Sequence, residues 1–133
     1  FKFKLQLLDS TTISLCLSLF PWAKFRRAKG GVKLHVLLDH ADYMPDFLSI
    51  SEASQHDIKF ARVLQLNPGS FVVADKAYTD YALFAKWTAQ GVYFVTRLKD
   101  NADFKIVRRL TPPQNRNIRK DQISRFSISA RWV

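Results

Sequence analysis

Four consecutive apolar residues, Phe71, Val72, Val73 and Ala74, stand between Ser70 and Asp75 and predict a short, wholly apolar buried strand. Residues 3–13 mix alternating and continuous apolar positions with β-branched Thr11, Thr12 and Ile13, the pattern of a strand buried for most of its length, with Asp9 inside it. A basic connection holding Pro21, Arg26, Arg27, Lys29, Gly30 and Gly31 leads to a second strand at 32–38, a turn over 39–45 and a third strand at 47–51. Ser54 or His56 is placed to cap a helix, and Asp57 adds negative charge to its first turn. Ile58, Ala61, Val63, Leu64 and Leu66 supply its apolar positions until Asn67-Pro68-Gly69 stops it, after about three turns. Beyond the strand at 71–74, a second helix is predicted from about Thr79 to Gln90, packing through Tyr81, Leu83, Phe84 and Trp87 and ended by Gly91. A strand at 92–96 runs into Arg97-Leu98-Lys99, a further strand covers 104–108, and past Thr111-Pro112-Pro113 the pattern weakens.

Three strands in meander, a helix, a buried strand, a helix and another strand make an α/β sandwich, a mixed sheet with flanking helices in a ribonuclease-H-like arrangement. The length suits one domain and not two. Residues 1–110 are assigned to that domain, incomplete at its carboxyl end, and 111–133 to the start of an insertion or a loosely ordered tail. No internal repeat interrupts this reading.

Charge narrows the partners. Lys and Arg number 21 against 11 Asp and Glu, a net +10, and a polyanion gains from each phosphate neutralised through release of its condensed counterions. The charge is spread over 24–33, 97–105 and 108–120 and is not gathered on one amphipathic helix, which favours nucleic acid over an anionic membrane surface. A generally basic, solvated surface is the plainer alternative. Asp9, Lys24 and Lys33 interrupt every apolar run, so a soluble chain without a membrane span is expected. The opening residues from Phe1 carry no signal core, which suggests a fragment or processed piece without visible targeting. The one cysteine, Cys16, lies in an apolar run (Ile13, Leu15, Leu17, Leu19), where a small buried thiol in a reducing cytoplasm is the ordinary expectation.

The chemistry rests on two acids. In this arrangement Asp9 sits within the first strand and Asp75 at the carboxyl end of the fourth, and adjacent central strands lie about 4.8 Å apart. Two carboxylates across such a gap repel unless a cation neutralises them, and hard oxygen donors select Mg²⁺ or Mn²⁺. A paired-metal centre of this kind suits phosphoryl transfer. The structural alternatives are plain: Asp75 between strand and helix also reads as a helix cap or turn former, and Asp9 beside Ser10 and Thr11 as the end of a strand.

Leu8-Asp9-Ser10-Thr11-Thr12 resembles the D-S-T-T signature around the first catalytic aspartate of DDE transposases of bacterial insertion sequences, in the group numbered four. Lys29 to His35 resembles that family's K-G-x-K-x-H strand, Ser54-Gln55-His56-Asp57 its S-x-H-D, and Phe71 to Tyr78 its apolar strand followed by D-[RK]-[GA]-Y. Phe94 to Lys99 resembles its F-V-x-R-x-K strand. Several ordered motifs from Leu5 to Lys99 are far more specific together than any one alone.

The resemblance implies a catalytic domain for DNA transposition and recombination, acting on transposon ends and target DNA with Mg²⁺ or Mn²⁺, as a dimer on DNA in the bacterial cytoplasm and nucleoid. It implies that Asp9 and Asp75 are catalytic and hold the metal, that Lys76 and Tyr78 lie near the DNA backbone, and that Arg97 and Lys99 contact phosphates. The alternatives on the residues themselves are a core ring for Tyr78 and a solvated strand end for Arg97 and Lys99, while His35 and His56 read as structural. The family also needs a glutamate on a later helix. The sole glutamate, Glu52, precedes Asp75, and the later acids Asp80, Asp100, Asp103 and Asp121 lack the family's Y-x-x-R-W-x-x-E setting. The expectation is therefore a transposase fragment, inactive alone. A non-catalytic basic DNA-binding remnant, titrating transposon ends or pairing with an active copy, is the competing reading, and an unrelated basic RNA-associated protein a third.

Overall fold

The computed structural model describes residues 2–16, 18–23, 30–114 and 117–126, so the basic connection at Arg26, Arg27 and Lys29 and the tail beyond Phe126 lie outside the described residues. The chain divides into two compact units, Phe1–Leu98 and Lys99–Val133.

The first unit holds β1 (Leu5–Leu15), β2 (Gly30–Asp39), β3 (Pro45–Glu52), α1 (Asp57–Val63), β4 (Phe71–Ala74), a 3₁₀ turn (Lys76–Tyr78), α2 (Tyr81–Ala89) and β5 (Tyr93–Val95). Its sheet runs β3-β2-β1-β4-β5. The first three strands are an antiparallel meander, and β4 and β5 lie parallel to β1 and to each other. This is the ribonuclease-H-like α/β arrangement expected from the element order.

Alternation along the strands sorts the two faces of the sheet. On one, the registers Leu8↔Leu37, Leu8↔Ala74 and Val72↔Phe94 gather those residues into a core with Phe60 and Ala61 of α1 and Leu83, Phe84 and Trp87 of α2. Trp87 is fully buried, and the Phe84 and Phe94 rings stack at 4.1 Å between centroids. Each large side chain buried here stabilises the fold by about 1.5–3 kcal/mol. The opposite face, with Leu7, Leu34, Val36, Leu48, Ile50, Val73 and Val95, is only half-buried or exposed.

Helix boundaries depart from expectation in two places. α1 stops at Val63 because Leu64 is already extended, and Leu64 and Leu66 are buried two residues apart, the spacing of an extended segment. Pro68 further restrains the approach to the turn. His56 occupies the N-cap position of α1 without a side-chain cap bond. α2 begins at Tyr81 rather than Thr79: Asp75 caps the intervening 3₁₀ turn, and the Asp80 carboxylate then accepts from Leu83 N at 3.0 Å and starts α2. Tyr81 consequently sits on the outer face, 40% exposed, and the packing face is Leu83, Phe84 and Trp87. At the far end Gly91 (φ +72°) donates to Thr88 O and Val92 to Trp87 O, the paired bonds of a left-handed helix terminus. Cys16 is exposed, not buried, since it lies just past the end of β1. Its thiol bonds Ser18 Oγ at 3.0 Å.

The second unit contains β6 (Phe104–Leu110) and β7 (Asp121–Phe126), paired antiparallel in a sheet of their own with an irregularity between Ile106 and Arg108. The boundary expected at residue 110 thus lies at the end of β6, inside a hairpin, and residues 121–126, assigned to the start of an insertion or a loosely ordered tail, form a paired strand. The cross-strand pairs that make it, Phe104↔Phe126 and Arg108↔Ile123, are invisible in either segment's own pattern. Among the described residues no helix is long and apolar enough to cross a membrane.

Candidate functional site

Asp9 lies in β1 one residue past the pairing Leu8↔Ala74, and Asp75 follows Ala74 directly, so the two acids occupy neighbouring positions on adjacent parallel strands. Alternation turns both to the face that carries Leu7 and Val73. Both line one cavity of about 520 Å³, with Leu7, Val73, Val95 and Arg97 among its walls. Strand neighbours sit about 4.8 Å apart, within reach of one cation.

The acids are held differently. Asp75 Oδ1 accepts from Ala77 N at 3.0 Å and Oδ2 from Arg97 Nη2 at 2.7 Å. The Ala77 amide first, then the Arg97 guanidinium, with a smaller contribution from Lys76, holds the Asp75 carboxyl below its ordinary value. Asp75 is therefore a turn cap as well as a wall of the cavity. Asp9, by contrast, has no hydrogen bond or ion pair of its own among the described residues. Two hard carboxylates are a donor set that suits Mg²⁺ or Mn²⁺, which take one or two protein carboxylates and leave other positions to water and phosphate. The guanidinium already seated on Asp75 fits a site that draws cations. Among the described residues no group of three or more His, Cys, Asp or Glu is arranged around a metal position. Glu52 ends β3, which β2 separates from β1.

Behind Asp9, on the helix-covered face, lies a cluster that sequence reasoning did not assemble. The Ser10 hydroxyl donates to Asp57 Oδ1 at 2.8 Å, and Lys33 Nζ pairs with the same oxygen at 3.2 Å. The His35 ring, 1% exposed, places Nδ1 3.6 Å from that oxygen, bonds Ser51 Oγ through Nε2 at 3.0 Å, and stacks on Phe60. Burial pushes the His35 imidazole down, against the pull of Asp57. Ser10, His35 and Asp57 each belong to one of the quoted motifs. Their convergence was unreadable because Ser10 and Asp57 are 47 residues apart.

The remaining expected site residues divide. Lys76 and Arg97 are exposed beside Asp75. Lys99 is exposed in the second unit. Tyr78 is 1% exposed and belongs to the core. Its hydroxyl, beside Ser10 but outside full hydrogen-bond geometry, is pushed up to about 12, chiefly by burial, opposed by Ser10 and aided by the charges of Asp57, Asp9 and Asp75.

The chain is 35% identical over 104 residues to y4zB of Sinorhizobium fredii, named as a transposase, a match spanning 78% of this chain and 29% of the relative. It is 30% identical over 99 residues to a protein of Geobacillus stearothermophilus named as a transposase for insertion sequence element IS5377, spanning 74% of this chain and 26% of the relative. The chain thus spans between a quarter and a third of the length of these relatives. A piggyBac transposase solved in a synaptic complex with hairpin DNA aligns at a TM-score of 0.47 with 8% identity, over 73% of this chain and 23% of that one. The family described as the Transposase DDE domain matches residues 2–132, so this chain belongs to the DDE transposase domain family.

Proposed function

We propose that this chain supplies the first two metal-binding carboxylates, Asp9 and Asp75, of a transposase of the insertion-sequence group numbered four, and that it is a fragment inactive by itself. The observation that carries the reading is the pair of acids on adjacent parallel strands lining one cavity. A divalent ion held there would activate a water or 3′ hydroxyl and neutralise the charge on a cleaved or joined phosphodiester. The chain's own residues contribute orientation and charge. Asp75 is preset by the Ala77 amide, so little freedom remains to be lost when it takes up a ligand. Arg97 and Lys76 stand beside it as phosphate contacts, and Lys99 is read as a further phosphate contact of the chain. The third carboxylate of the family comes in this reading from outside the cavity described, since Asp9 and Asp75 are its only acids. DNA, at transposon ends and at the target, is the partner, engaged by a dimer.

The test has two arms. Asn at the position of Asp9 or of Asp75 in a full-length relative abolishes strand transfer while leaving the fold intact; unchanged strand transfer contradicts the assignment. The purified 133-residue chain shows no Mg²⁺-dependent nicking of transposon-end DNA; measurable nicking contradicts the inactivity. The net charge of +10 supports a second reading, a non-catalytic DNA-binding remnant. Affinity for DNA that falls steeply with salt and is indifferent to chelator favours that reading.

A further inference from the structure

We propose that Asp57 is a positioning residue for Asp9, acting through Ser10; the proposal rests on the reading of Asp9 and Asp75 as a metal-binding pair. The two acids differ in how they are fixed. Asp75 is gripped directly, one oxygen by the Ala77 amide and the other by Arg97. Asp9 has no such partner among the described residues, so its direction is set by the backbone that carries it. The next residue, Ser10, points to the other face, and its hydroxyl is tied to Asp57 at 2.8 Å. Fixing Ser10 fixes the pleat, and the pleat aims Asp9 into the cavity.

Asp57 is itself built into a firm mount. Its side chain is 15% exposed, and a carboxylate that far from water persists because Lys33, 16% exposed, pairs with it. Lys33 Nζ also donates to Gln55 O at 3.2 Å, which pins the segment entering α1. His35 closes the third side, held in turn by Ser51 and by stacking on Phe60 of α1. The mount therefore joins β1, β2, β3 and the start of α1 at one carboxylate oxygen. Tyr78, three residues after Asp75, reaches the same neighbourhood from the 3₁₀ turn after β4, close enough for Ser10 and Asp57 both to act on its hydroxyl. Groups of this kind behind metal ligands orient them and typically change metal affinity about 10–100-fold when removed.

The experiment is a Mn²⁺ titration of the full 133-residue chain followed by electron paramagnetic resonance, with folding monitored by circular dichroism. Asp57→Ala and Ser10→Ala are each expected to weaken Mn²⁺ binding about tenfold. Asp57→Asn keeps an oxygen acceptor for Ser10 and is expected to stay within about threefold of wild type. Because both act along one path, the Ser10→Ala/Asp57→Ala double variant is no weaker than either alone. Asp80→Ala, which removes the α2 cap, lowers stability and leaves Mn²⁺ affinity unchanged, separating positioning from general loosening. Wild-type affinity in folded Asp57→Ala or Ser10→Ala, or effects that multiply, overturns the proposal. If wild type and Asp9→Asn bind Mn²⁺ alike, the metal reading itself is wrong, and the metal-free side-chain carboxyl ¹³C resonance of Asp9 decides instead. It moves in Asp57→Ala and Ser10→Ala but not in Asp57→Asn if Asp57 positions Asp9, and an unmoved resonance in all three overturns the idea.

Discussion

Leu8 and Ser10 of β1 point into the layer beneath the helices, where side chains are packed and buried, while Leu7 and Asp9 point to the opposite face, where Val73 is partly covered and Asp75 and Val95 are exposed. One strand thus carries stability on one side and candidate chemistry on the other. The division is a consequence of the two-residue repeat of a strand. The packed face fixes the backbone, and the backbone delivers two acids to an accessible cavity without either acid contributing to the core.

The comparison breaks most easily by truncating each face in turn. Trp87→Ala removes a fully buried ring and is expected to cost about 3–5 kcal/mol. Val95→Ala, at a side chain 53% exposed, is expected to cost less than about 1 kcal/mol. Chemical denaturation of the two variants measures both, and equal losses would erase the distinction between faces. Next in size, Asp80→Ala deletes the α2 cap and its ion pair with Arg62 and is expected to cost about 1 kcal/mol in the same assay.

Tyr78→Phe sharpens the comparison at a motif residue that lies in the core. Its ring belongs to the core and its hydroxyl lacks a well-formed bond, so the change is expected to leave stability within about 1 kcal/mol of wild type and DNA affinity unaltered. A marked loss of DNA binding would return Tyr78 to the accessible side. The smallest effect concerns Asp75. Its carboxyl is held below 3.8 by Ala77 and Arg97, so its contribution to stability is present above that pH and is lost as pH falls through the lower folded value. Carboxyl ¹³C titration should show the depressed midpoint, and Arg97→Ala should raise it part of the way, since the Ala77 amide remains.

Much of this arrangement was legible in the residues. Phe71 to Ala74 was legible as a strand, although only Val72 and Ala74 are buried, and the meander before it followed from strand patterning and turns. The positions of Asp9 and Asp75 on neighbouring strands followed from element order. What was not legible depended on distant partners. Leu64 and Leu66 fit a helix face as well as an extended segment, and only burial in the folded chain chose between them. β7 exists because Phe126 and Ile123 meet β6. The Ser10–Asp57 bond, and with it the role of the buried His35 and Lys33, needed three strands and a helix in place first.

The most direct measurement of the central claim is a Mn²⁺ titration of wild type, Asp9→Asn and Asp75→Asn under one set of conditions. A shared ion predicts that either substitution alone removes the tight site. Retention of that site in one of the two variants would mean that the acids do not act on a common cation.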